Sequence, residues 1–189
     1  VGAGFTYSTD GPTHHGTQDV AIMSSIPNLS LYNCSDSVNT DSFAKLGYKT
    51  VGPKYFRIEK GEVPNLYGRN DPFDEGIAKV KEGKDTYILA SGLMVHKAIE
   101  AAKSLDRNGV EIGVLDLYRI KPVNENLLVE FLSGVKKLLI IEDNIATGGI
   151  CDKVNSILDI ISSKVISSIN INFISNINNN ILFFNRKFS

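Results

Sequence analysis

The chain has 189 residues, 42% hydrophobic and 22% charged, with 16 Gly and 6 Pro, the composition of an ordinary globular protein of one large or two small domains. Its only cysteines, Cys34 and Cys151, stand far apart with no His or Cys at ligand spacing, which excludes a disulfide scaffold, a zinc finger and a CxxC redox centre and predicts two reduced core thiols. Twenty Lys and Arg against 21 Asp and Glu leave a net charge of -1 without a long basic run, which excludes sequence-independent nucleic-acid binding, and no apolar stretch reaches the roughly 18 residues of a membrane span, so a cytoplasmic chain with no membrane partner is expected.

Val1 has no Met before it and the structured pattern begins at once, so the chain reads as a fragment of something longer. Val1 to Phe5, Leu29 to Asn33 and Lys54 to Ile58 are predicted strands, around helices near Thr17 to Ser25 and Val38 to Leu46. Glu59 to Gly83, with 4 Gly, 2 Pro and many charges, reads as a connection carrying one short element, with the boundary near Asp74. Thr86 to Ser91 is an apolar run suited to a strand buried on both faces. Apolar residues at three- and four-residue steps from Leu93 to Leu105 then predict a helix that Asn108-Gly109 stops. The unit repeats: strand Val110 to Leu117, a break at Lys121-Pro122, helix Asn124 to Leu132, and strand Lys137 to Ile141 ending in Glu142-Asp143.

Strands alternating with helices predict an α/β fold with a mostly parallel sheet and right-handed crossovers. The units are residues 1–73 and 74–161, followed by a tail, 162–189. From Ile160 onward, 25 of 30 residues are Ile, Asn, Ser or Phe, without Asp, Glu, Gly, Pro or Ala after Ile160. Two readings of the tail stand: an abnormal terminus, or a strand prone to aggregation or to pairing with a partner.

The densest polar cluster is Asp10-Gly11-Pro12-Thr13-His14-His15-Gly16, between the first predicted strand and helix. Ligands of open α/β sheets bind at such strand ends, and free N-H groups at a helix start favour polar or anionic ligands. Gly11 and Pro12 fix a turn and Thr13 or Thr17 can cap the helix, which leaves Asp10, His14 and His15 without a local structural duty. Solvent-facing side chains on an Asx turn are the alternative. With only His96 besides, and adjacent histidines usually pointing apart, a metal site is not expected.

This loop, with Gly2-Ala3-Gly4-Phe5 before it and Asp19 to Asn28 after it, resembles the pyrimidine-binding domain of transketolase-like, thiamine-diphosphate-dependent enzymes. Ile88 to Val95, Leu117 to Pro122, Ile141-Glu142-Asp143 and Gly148-Gly149 are similar, in the same order, to that family's C-terminal domain. The resemblance covers about Val1 to Ile161. It implies the end of a pyrimidine-binding domain (1–73) joined to a doubly wound C-terminal domain (74–161). By position, it makes Asp10 a contact to a sugar hydroxyl and His14 a catalytic group beside the cofactor's aminopyrimidine and the reacting carbon. His15, where many relatives have Gln, is a weaker substrate contact. Arg57 matches a basic residue that holds substrate phosphate, with Lys60 able to share or replace it; a surface Arg paired with Glu59 is the alternative for Arg57.

Departures are equally specific. A phosphate-contacting His of transketolases falls on Gly2, Asn33-Cys34-Ser35-Asp36 replaces a Pro-Ser-Asp turn with Asp36 still a helix cap, and Asn144 stands where relatives place a His. Glu142 to Gly149 reads as a strand-end loop. The Gly-Asp-Gly diphosphate domain and the activating Glu have no counterpart in the sequence. The resemblance therefore implies the C-terminal part of a two-carbon ketol transferase acting on sugar phosphates and inactive alone. Thiamine diphosphate and magnesium would be held only in the complete enzyme, with a diphosphate-binding domain or subunit as partner, in a homodimer or split heteromer. 1-Deoxyxylulose-5-phosphate synthase, a 2-oxoacid dehydrogenase β subunit and a non-catalytic remnant are the alternatives.

Overall fold

The computed structural model describes the backbone of residues 2–162, 170–177 and 180–187, and the side chains of 2–7 and 9–160. In chain order the elements are α1 (Asp19–Ser24), β1 (Ser30–Asn33), α2 (Ser37–Lys49), β2 (Lys54–Arg57), β3 (Ala78–Lys81), β4 (Thr86–Ala90) and α3 (Leu93–Asp106). There follow β5 (Ile112–Asp116), β6 (Arg119–Lys121), α4 (Glu125–Leu132), β7 (Lys137–Glu142), α5 (Ile150–Ser162), β8 (Asn170–Ile177) and β9 (Asn180–Lys187).

Local chemistry accounts for the boundaries. Asp36 opens α2 through a reciprocal cap: its Oδ1 accepts from Asn39 N at 2.8 Å, and Asn39 Oδ1 accepts from Asp36 N at 3.2 Å. Past α3, Gly109 takes φ +77 and the Val110 amide returns to the Leu105 carbonyl, which is the predicted stop. Asn124 caps α4 by accepting from Leu127 N at 3.2 Å. No threonine caps α1; Gln18 occupies that position without a side-chain bond.

The strands form two sheets, ordered β2-β1-β6 and β3-β5-β4-β7-β8-β9. In the second, β4 runs parallel to β5 and to β7, and β7 parallel to β8; β3 and β9 lie antiparallel on the two flanks. The repeated strand-helix pattern is therefore a parallel-centred α/β sheet. Val20, Leu29 and Leu31 of the first unit share one buried cluster with Leu115, Leu128, Leu138 and Val154 of the second, so the core runs through the junction. Cys34 and Cys151 are buried free thiols.

Two expectations are corrected, and a third is located. Of the strand expected over Val1 to Phe5, the described residues Gly2 to Phe5 make none: Gly2 (φ +83) and Gly4 (φ +54) leave the extended region, and a single bridge pairs Gly4 with Gly16. The chain after β5 does not simply break at Lys121-Pro122. It first crosses over as β6 and pairs antiparallel with β1, Tyr32 opposite Arg119. The short element of the connection is β3, an edge strand on β5. The 162–189 tail lies partly outside the described residues; its described backbone forms β8 and β9. Among the described residues no helix is long and apolar enough to cross a membrane.

Candidate active site

The DGPTHH segment is presented on a closed loop. Gly4 N donates to Gly16 O at 3.0 Å and Gly16 N to Gly4 O at 2.9 Å, pinching residues 5–15 at a neck. Within it two 3-10 turns, Ser8–Asp10 and Pro12–His14, are closed by Asp10 N on Tyr7 O and His14 N on Gly11 O, both at 3.0 Å. Gly11 joins them at φ +79, ψ -175, a conformation essentially restricted to glycine.

Asp10, Thr13 and His14 are exposed at the tip. Thr13 Oγ1 lies 3.0 Å from His14 Nδ1, which leaves Nε2 as the ring nitrogen for a ligand. The His14 ring sits 5.9 Å from the Tyr7 ring, and Lys60 Nζ lies 4.1 Å from the centre of the same ring. One aromatic surface thus gathers an imidazole and an exposed ammonium, with Asp10 on the adjoining turn. Tyr7 also explains Gly2: a Cβ there would collide with the Tyr7 ring, so the space of any side chain at that position is filled.

His15 and Arg57 do not join this surface. The His15 ring turns inward, edge-on to Phe5 at 5.0 Å, and its Nε2 is buried. Arg57 is not a surface residue. Its side chain is 1% exposed and its donors are already directed at protein acceptors. Nε donates to Asp19 Oδ2 at 2.9 Å, Nη1 to Asp143 Oδ1 at 3.0 Å, and Nη2 to Gly16 O at 3.0 Å and Asn144 Oδ1 at 3.3 Å. Burial pulls the guanidinium pKa down, but Asp143, Asp19 and Glu59 outweigh it and hold it above its ordinary value. Glu59 lies under the loop, bonded to the Thr6 hydroxyl, and burial raises its pKa.

Two further carboxylates are buried at strand ends. Glu142 accepts from Ile150 N at 2.7 Å and Cys151 N at 3.1 Å, capping α5, and burial pushes it up to about 8. Glu142 thus ends β7 and opens the expected strand-end loop. Asp116, at the end of β5, holds the Ser35 and Tyr67 hydroxyls on one oxygen. Beside this network, between α2 and the start of α3, lies a cavity of about 390 Å³ whose lining includes Cys34, Asp36, Ile58, Glu59 and Leu93.

Among the described residues no three His, Cys, Asp or Glu side chains gather as a metal site.

Residues 1–65 match the pyrimidine binding domain of transketolase, and residues 76–172 match the transketolase C-terminal domain. The chain belongs to the transketolase family. It is 31% identical to mouse (Mus musculus) transketolase over 157 residues, 81% of this chain and 25% of that protein. It is 29% identical to a subunit of the apulose-4-phosphate transketolase of Phocaeicola vulgatus over 153 residues, 79% of this chain and 49% of that one. Among solved structures, a split-gene transketolase in an inactive β4 tetramer superposes with a TM-score of 0.76 at 27% identity, covering 94% of this chain and 57% of the other. The chain thus spans about a quarter to a half of the length of these curated relatives. The C-terminal transketolase match runs on to residue 172, beyond the Ile161 limit of the sequence resemblance.

Sequence reasoning did not foresee Tyr7. Its signal was present in the pair Gly2 and Tyr7, a missing side chain opposite an aromatic one, but only the fold brings them together.

Proposed function

We propose that this chain forms the C-terminal part of a transketolase-type transferase that moves a two-carbon ketol unit between sugar phosphates, and that it is inactive alone. A diphosphate-binding domain or subunit, in a homodimer or split heteromer, supplies the thiamine diphosphate and magnesium site, and the upstream part of the pyrimidine-binding domain with its activating Glu completes the enzyme. Relatives that are separate subunits or split-gene products support a partner of this kind.

The observation that carries the reading is the grouping of Asp10, His14 and Lys60 around Tyr7 on a loop closed at its base. In this reading the Asp10 carboxylate accepts a hydrogen bond from a sugar hydroxyl. His14 Nε2 gives or takes a proton at the sugar oxygen next to the carbon that reacts. Lys60 meets the phosphate as a point charge, the role that buried Arg57 leaves open.

The test mixes the chain with a transketolase fragment that carries both the diphosphate-binding domain and the upstream, Glu-bearing stretch of the pyrimidine-binding domain, adds thiamine diphosphate and magnesium, then measures ketol transfer from a ketose phosphate to an aldose phosphate. Turnover only in the full mixture is expected. A folded chain that forms the complex yet supports no transfer refutes the reading and leaves a non-catalytic remnant.

A further inference from the structure

Arg57 is among the largest fully buried side chains of the protein, and its acceptors come from three places at once. Gly16 O belongs to the neck of the loop, Asp19 to the start of α1, and Asp143 and Asn144 to the segment after β7 in the second unit. The same seam is reinforced by Ile145 N donating to Thr17 O at 2.9 Å, and Gly148 packs so closely on Ala21 that a Cβ would stand 2.8 Å from the Ala21 methyl. Gly16 O consequently accepts two bonds, one from Gly4 N across the neck and one from Arg57 Nη2. The neck is therefore tied both to itself and, through the guanidinium, to the second unit.

We propose that Arg57 is a positioning residue: its guanidinium fixes the neck of the 5–15 loop against Asp143 and Asn144, so that the second unit sets where Asp10 and His14 stand. This rests on the reading of Asp10 and His14 as sugar contacts. The planar fork is needed because the acceptors lie in different directions. An ammonium keeps the charge among Asp19, Glu59 and Asp143 but cannot present the fork's fixed set of N-H directions. Misplacement of a reacting group by about 1 Å costs up to ~10²-fold in rate, so an anchor outside the chemistry can govern turnover.

The experiment compares Arg57→Lys and Arg57→Gln in the full chain. Hydrogen exchange is followed at the Gly4 and Gly16 amides and, as an internal reference, in β4. The expected result is exchange at the neck at least tenfold faster in the Lys variant with β4 unchanged, and a larger effect in the Gln variant. Unchanged exchange at the neck overturns the proposal. So does an equal loss of protection in the neck and β4 in the Lys variant, which would make Arg57 a general stabiliser. This readout needs no activity, so it stands or falls separately from the transferase reading. In the assembled enzyme kcat should fall about 10- to 100-fold, with KM for the donor within twofold and the same loss on a sugar phosphate and its dephosphorylated analogue. A loss confined to the phosphorylated donor also overturns the proposal, because it would place Arg57 on the phosphate.

Discussion

Tyr67 donates its hydroxyl to Asp116 Oδ2 at 2.8 Å, joining the connection between the units to the carboxyl end of β5. Ser35 donates to the same oxygen, while Oδ1 is buried without a hydrogen-bond partner among the described residues. Burial raises the Asp116 pKa to about 7, against the lowering effect of both hydroxyls.

A pH dependence of stability follows. Between about pH 4 and 7 folded Asp116 still holds a proton that the unfolded chain has released, so its contribution is greatest at the acidic end and is lost as pH rises toward 7. The difference is on the order of a few kcal/mol. Urea midpoints of the parent should therefore fall from pH 5 to pH 7 more steeply than those of Asp116→Asn. Parallel slopes would show that Asp116 does not carry the effect.

His14→Ala should lower turnover of the assembled enzyme by about 10² to 10⁴. His14 is exposed at the loop tip, so the melting temperature should hardly move. Steady-state kinetics beside thermal melts make the comparison, and unchanged turnover returns His14 to a surface role.

Lys60→Met should weaken use of a phosphorylated donor and spare its dephosphorylated analogue. Lys60 Nζ stands over the Tyr7 ring with no carboxylate partner among the described ion pairs, so the lost interaction is available to a ligand. The kcat/KM ratio of the two donors measures it. Equal loss on both would point to the ring contact and not to the phosphate.

Gly4→Ala tests the neck from its other side. Gly4 has φ +54, and an added Cβ would collide with the Asp143 carboxylate that Arg57 binds. Backbone strain alone contributes about 1 to 2 kcal/mol. A lower denaturation midpoint is expected, together with faster exchange at Gly16. A neutral substitution would mean that the neck adjusts freely.

The parallel-centred sheet and its helices were legible because each rests on a local code: apolar runs for β4 and β7, period-3.6 spacing for α3, and Asp36 and Asn124 as caps. The exposure of the loop tip was legible too, because an Asp-Gly-Pro turn exposes its neighbours. What stayed hidden depends on partners distant in sequence. Nothing near Arg57 in the chain announces Asp143, and Arg119–Lys121 carries no local mark of pairing with β1. The adjacent histidines were equally ambiguous, since only Phe5 decides which one turns inward.

The crossing of β6 has a practical consequence for anyone dividing this protein. Lys121 Nζ donates to the Ser24 and Ile26 carbonyls at 2.8 and 2.6 Å, and Arg119 holds the Asp74 and Glu75 carbonyls at 2.8 and 3.1 Å. A truncation placed at the sequence boundary would strip β1 of a neighbour and leave the Ser24 and Ile26 carbonyls without Lys121, so the cut that looks cleanest along the chain is among the least clean in space. Complementing fragments, fusions or tags should instead keep Arg119–Lys121 in the same molecule as the Asp10 loop, and insert in the exposed stretch near Gly68 to Asp71 only where both flanks remain present.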